Sequence, residues 1–278
     1  MLGKLMKYEW KCLSRPLLIL LAVLMGTTLI SSLMMISINP DFDEVTENLS
    51  FLFMIGSFLI YYLGIIVCSI GTSLMIAIRF YKTCYTDEGY LTHTLPVSAK
   101  QLIGAKTLNA CLWQLIMMLC TALSLLIFIG VTFTHLTSTS GGINVSDFQT
   151  IGNEFEAEFG IGPVGYFVFL ITYSLISCIT GTCIILGCVS LGQLYTKHRI
   201  LGAIIAYFLV SMLLQITAYI SMIPMYTRLI VAGASGSELT IFEVMQPSFL
   251  LIMIISIILA VIMYFVNIHM MTKKLNLE

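Results

Sequence analysis

Six stretches of this chain stay apolar long enough to cross a hydrocarbon core of about 30 Å, which takes roughly 20 residues of helix. They cover about 16 to 38, 51 to 78, 107 to 133, 164 to 194, 200 to 223 and 247 to 268. A helix is predicted for each, because a backbone in lipid must satisfy its own hydrogen bonds. The fourth and fifth are separated only by Tyr195, Thr196, Lys197, His198 and Arg199, which predicts a tight turn at the membrane surface. Ahead of the first, residues 1–15 alternate Leu2, Leu5, Met6, Trp10 and Leu13 with Lys4, Lys7, Lys11 and Arg15. That spacing puts apolar groups on one helical face and cations on the other. It describes an N-terminal interfacial amphipathic helix entering the first span at Pro16, or an ordinary basic anchor that orients insertion. The first apolar stretch is too long for a signal peptide and lacks a small-x-small cleavage site, so it is read as a span.

The connecting segments have patterns of their own. From Phe51 to Cys84 there is no proline, so the second helix is free to run about 50 Å and project past the membrane. After it, Ser98-Ala99-Lys100-Gln101 has capping-box spacing and starts the third helix. Within the intervening segment, 79–101, Tyr90, Leu91 and Leu95 need burial, either in the lipid interface or on a partner protein. In the loop at 134–163, Phe148, Ile151, Phe155 and Phe159 recur at helical spacing, with Asp147, Glu154, Glu156 and Glu158 mostly on other faces. An amphipathic helix on the outer leaflet is the expectation. The 225–246 segment mixes glycine and serine with Leu229, Ile230, Val231, Ile241 and Phe242, which suits short outer or re-entrant helices before the sixth span.

Composition agrees with this single, all-α, six-span membrane domain. The chain is 59% apolar and 10% charged, whereas a soluble domain carries about a quarter charged residues. A net charge of −1 offers nothing to a nucleic acid. The order of the charges matters more. Lys4, Lys7, Lys11, Arg15, Arg79, Lys82, Lys100, Lys106, Lys197, Arg199, Lys273 and Lys274 all fall on one side of the six spans, and Arg228 alone on the other. By the positive-inside rule the basic side is cytoplasmic, and both termini with it. The eight cysteines lie in spans or on that side, so no disulfide is expected. Cys178, Cys183 and Cys188 step about 140° round a helix and share no metal-binding face; no metal site is expected.

Chemistry of other kinds is absent. No acid or base lies near the middle of a span, which disfavours proton coupling, acidic cation filters and voltage sensing. There is no phosphate loop, no H-E-x-x-H and no G-x-S-x-G, so the chain is not expected to hydrolyse ATP or to be an enzyme of those classes. Polar residues in the spans, Asn109, Gln114, Gln193, Gln215 and Asn267, suit interhelical hydrogen bonds. Tyr61, Tyr62, Tyr173 and Tyr207, with Gln114 and Gln215, are candidates to line a path for an amphipathic solute. Ser57, Gly64 and Gly71 recur every seven residues, and Ser177 with Gly181 makes a small-xxx-small pair. Either an internal helix seam or a seam between two copies satisfies those patterns.

The segment Tyr85-Thr86-Asp87-Glu88-Gly89-Tyr90-Leu91-Thr92-His93-Thr94-Leu95-Pro96-Val97-Ser98, followed by Gln101-Leu102 and Lys106, resembles the loop after the second span in permease subunits of type-2 ATP-binding cassette (ABC) exporters of Gram-positive bacteria. The basic N-terminal helix, the six spans with both ends inside and the outer element before the last span fit the same pattern. The resemblance implies that a cytoplasmic coupling helix between spans two and three docks onto a separate nucleotide-binding ATPase subunit. Thr86, Asp87, Glu88, Gly89, Tyr90, Leu91 and Leu95 would carry that contact. It implies two permeases, copies or paralogues, with two ATPases in the bacterial plasma membrane, with ATP and Mg bound by the partner and no cofactor held by this chain. Cargo would be a hydrophobic or amphipathic molecule such as an antimicrobial peptide, a drug or a lipid. The other reading these residues allow is a nontransporting immunity or sensory protein that binds a peptide at the acidic outer face.

Overall fold

The computed structural model describes residues 2–37, 44–86, 89, 98–139, 145–195, 198–235 and 240–273. Among these residues the protein is all-helical, with no strand. The helices are α1 (Leu2–Ile36), α2 (Glu44–Tyr85), α3 (Ala99–Thr139), α4 (Val145–Phe159), α5 (Pro163–Gly192), α6 (Arg199–Ser221), α7 (Ile223–Ser235) and α8 (Ile241–Lys273). Six helical stretches are long and apolar enough to cross a membrane: Met6–Ile36, Ser50–Tyr85, Lys100–Thr134, Pro163–Gly192, Arg199–Ala234 and Ile241–Thr272. This is the architecture of a multi-pass membrane protein, with one stretch for each apolar run in the sequence.

Two regions add detail to the sequence pattern. Residues 2–15 are not a separate helix: α1 runs without interruption through Pro16. A proline inside a helix removes one hydrogen bond and bends the rod without having to end it. The region after the fifth span holds a short helix, as its apolar content leads one to expect. Helix α6 stops at Met222, where Pro224 has no N–H to offer the Ile220 carbonyl, and α7 begins at once. Residues 236–239 lie outside the described residues.

Contacts divide the chain into two compact units, Met1–Arg79 with Leu112–Ile143, and Phe80–Cys111 with Asn144–Glu278. In the first, α1 packs closely on α2. A Cβ placed on Gly64 would lie 2.5 Å from Thr27 Oγ1, and one on Gly71 would lie 3.0 Å from Leu20. Ser57 is fully buried. The stripe Ser57, Gly64, Gly71 therefore meets helix within this chain. Cys68 Sγ donates to the Leu20 carbonyl at 3.3 Å, beside a core of Leu24, Cys68 and Met117. The buried hydroxyls of Thr28, Ser31 and Ser32 bond carbonyls of their own helix, so α1 keeps a polar face in an apolar setting without an orphaned group.

In the second unit α5, α6 and α8 share a core of Ile184, Cys188, Val210 and Met263. Thr196 and Lys197 of the turn expected at 195–199 lie outside the described residues, but on either side of it glycine lets α5 and α6 approach closely. A Cβ on Gly202 would lie 2.8 Å from the Gly192 carbonyl oxygen, and one on Gly192 would overlap the Ala203 backbone. Of the apolar face expected on helix α4, Phe155 and Phe159 stack at 4.2 Å and both meet Tyr166 of α5 edge-on. It ends at Gly160, whose φ of 77° and contact with Thr240 leave no room for a side chain.

The far end of this unit carries one more tie. Pro247 inside α8 supplies no N–H to the carbonyl of Glu243, four residues earlier. Arg228 of α7 fills the gap, its Nη1 donating to that carbonyl at 2.7 Å. The one basic residue that breaks the charge asymmetry thus has a structural task, holding α7 on α8 where α8 is short of a hydrogen bond. Thr240 N–H donates to Glu243 Oε2 at 3.3 Å, the backbone half of a capping box at the start of α8.

Candidate functional site

The segment expected to face a partner starts where α2 ends, and the last turn of α2 makes buried side-chain hydrogen bonds to other helices of its unit. Tyr85, the final residue of α2, is 4% exposed. Its Oη donates to Ser190 Oγ of α5 at 2.9 Å, and Ser190 Oγ donates to Asn267 Oδ1 of α8 at 2.7 Å. Ser190 and Asn267 are fully buried as well. Two residues earlier, Lys106 Nζ of α3 donates to Thr83 Oγ1 at 2.7 Å, with both side chains buried. An ammonium group that far from water depends on such acceptors. The end of α2 is therefore tied by side-chain hydrogen bonds to α3 and α5, and through Ser190 to α8.

Beyond it, Thr86 Oγ1 donates to the Lys82 carbonyl at 2.6 Å, and Gly89 N–H donates to the Thr86 carbonyl at 2.6 Å. Gly89 is buried. Asp87, Glu88, Tyr90, Leu91 and Leu95 lie outside the described residues. At the start of α3, Gln101 N–H points to Ser98 Oγ at 3.4 Å, the contact that the capping spacing predicts.

No family model, curated protein or solved structure matches the chain. Function has to be read from the residues themselves.

Of the six residues proposed to line a cargo path, Tyr61, Tyr62 and Gln114 belong to the first unit and Tyr173, Tyr207 and Gln215 to the second. Tyr61 is occupied by internal packing: it stacks on Phe128 at 4.4 Å and its hydroxyl pairs with Ser124 at 3.1 Å. Gln114 is half-buried, while Tyr62, Tyr207 and Gln215 are exposed on the surfaces of their helices. Tyr173 packs edge-on against Phe249. A cavity of about 330 Å³ does open between α5 and α8, lined by Ile176, Ile179, Thr180, Cys183, Ile257, Ala260, Val261 and Tyr264, and its exposed wall is apolar. Its neighbours on α5, Ser177 and Gly181, make no close helix contact: Ser177 is exposed, and a Cβ on Gly181 would meet open space.

Other paired side chains gave no periodic signal in the sequence. In the first unit Glu9 pairs with Arg79 at 3.9 Å, the Glu9 side chain 6% exposed, and the Trp10 and Trp113 rings lie 4.5 Å apart. An acid within a basic amphipathic stretch, placed on its apolar side, is the mark that singles out Glu9. Ser190 had no such mark, since serine inside an apolar run is common in membrane helices.

Proposed function

We propose that this chain is the membrane permease subunit of an ATP-driven exporter of the type-2 ABC class, worked by a separate nucleotide-binding subunit. The observation that carries the reading is the sequence Tyr85 to Ser98 with Gln101, Leu102 and Lys106, set between two spans of a six-span chain. Its position supports the same reading. The segment leaves α2 at Tyr85, a residue hydrogen-bonded into α5 and one step from α8, so a push on the segment has a path into three helices of its unit. ATP binding and hydrolysis would occur on the partner, with Thr86 to Leu91 and Leu95 receiving the movement. Two arrangements of the helices, biased by the partner's nucleotide state, would expose the cargo to alternate sides. The apolar wall of the α5–α8 cavity suits the hydrophobic part of an amphipathic cargo.

The test is to purify the full-length chain gently from its native membrane and assay the eluate. The reading predicts a co-purifying ATPase whose rate depends on this chain, and ATP-dependent movement of an amphipathic dye after reconstitution of the two together. Isolation of the chain alone, binding a peptide at its acidic face and moving nothing, would replace the exporter with the nontransporting reading.

A further inference from the structure

We infer that Tyr85, Ser190 and Asn267 form a latch through which the end of α2 controls the end of α8, with the Ser190 hydroxyl as its moving part. Ser190 has one hydroxyl proton and two acceptors within reach, Asn267 Oδ1 at 2.7 Å and the carbonyl of Leu186 in its own helix at 3.2 Å. While Tyr85 donates to Ser190 Oγ, the hydroxyl is oriented across the interface and its proton goes to α8. When Tyr85 is withdrawn, a rotation about one bond hands the proton back to Leu186, the usual resting partner of a helical serine. Opening therefore leaves Ser190 satisfied. Asn267, 1% exposed, is the group that loses its donor, and that loss is what holds the latch closed. The outcome is a pair of discrete arrangements that one upstream contact biases, which is the physical requirement for passing a signal between helices. Tyr85 stands next to Thr86, so movement of the following segment reaches it first.

The inference rests on the proposed function only for what moves Tyr85. The link from α2 to α8 is a property of this chain and is tested without any ATPase. The full-length protein in lipid nanodiscs is compared with Tyr85→Phe, Ser190→Ala and the double variant by amide hydrogen exchange over residues 264–272 of α8. Tyr85→Phe removes one oxygen and keeps the ring beside Phe80. It should raise exchange in α8 about three- to tenfold, the worth of one buried hydrogen bond. The double variant should exchange no faster than Ser190→Ala alone, because the links act in series. Unchanged exchange in α8 with Tyr85→Phe, or effects of the two substitutions that multiply, would overturn the latch. Should Ser190→Ala fail to fold, Asn267→Leu takes its place in the pair with the same expectation. A latch that passes this test in a chain that never couples to an ATPase would sink the exporter reading and leave the latch standing.

Discussion

All nine buried residues of α5 lie between Thr180 and Gly192, whereas from Val164 to Ile171 the same helix exposes Val164, Phe167, Val168, Leu170 and Ile171. Both halves are apolar enough for a membrane, so hydropathy does not separate them. Small and hydroxyl-bearing residues do. Gly187 admits Met263 of α8, Gly192 admits the backbone of α6, and Ser190 bonds both Tyr85 and Asn267. The other half has bulky side chains facing outward and meets its neighbours through aromatic edges, Phe169 and Tyr173 on Phe249. Apolarity takes a helix into the bilayer; small residues and hydrogen bonds decide where it is fixed to another helix. The fixed half is the one next to the proposed coupling segment, and the α5–α8 cavity lies where the two halves meet, with Ile176 and Ile179 on one side of the boundary and Thr180 and Cys183 on the other.

Glycine substitutions along α5 would break or sharpen this contrast. Gly192→Ala should be the most damaging, by about 3 kcal/mol, because the added carbon meets main chain that cannot move aside; the measurement is the unfolding midpoint in mixed micelles. Gly187→Ala presses on both the side chain and the carbonyl of Met263 and should cost about 2 kcal/mol in the same assay. At the opposite end of the unit, Arg228→Met should cost about 1 kcal/mol. That cost should shrink in a Pro247→Ala background, where an N–H is restored to the Glu243 carbonyl; an equal cost in both backgrounds would show that the guanidinium serves something else. Gly181→Ala, in open space, should raise stability by about 0.5 kcal/mol through helix propensity alone. A loss there would mean that another helix, from a second copy, covers that face.

Much of the fold was legible because its signals are periodic. The six apolar runs, the aromatic face of α4 and the Ser98 cap each repeat at a helical spacing or sit at a fixed offset. Close approach was legible too, but not its address. Ser57-Gly64-Gly71 and Ser177-Gly181 carry the same pattern, yet the first is pressed against α1 and the second is open, since a small residue permits contact and does not supply a neighbour. The first helix runs on through Pro16 where an interfacial segment and a span were expected, because one missing hydrogen bond is a small fraction of a long helix. The polar chain at the candidate site was hidden for a different reason. Tyr85 and Ser190 are 105 residues apart, and Ser190 and Asn267 are 77 apart; nothing local links them. Arg228 stood out as the lone exception to the charge split, but its partner is a backbone carbonyl, which carries no sequence signal.

The central claim is that this bundle is driven from its basic end by a motor it does not contain. It is tested most directly by replacing Asp87 and Glu88 together with lysine and following ATP-driven efflux of an amphipathic dye from vesicles holding this chain with the proposed nucleotide-binding subunit. Charge reversal at the proposed docking segment should cut efflux at least about tenfold, the scale of losing a buried charge contact at an interface, while the chain still inserts normally. Efflux at the wild-type rate with both residues reversed would contradict the claim.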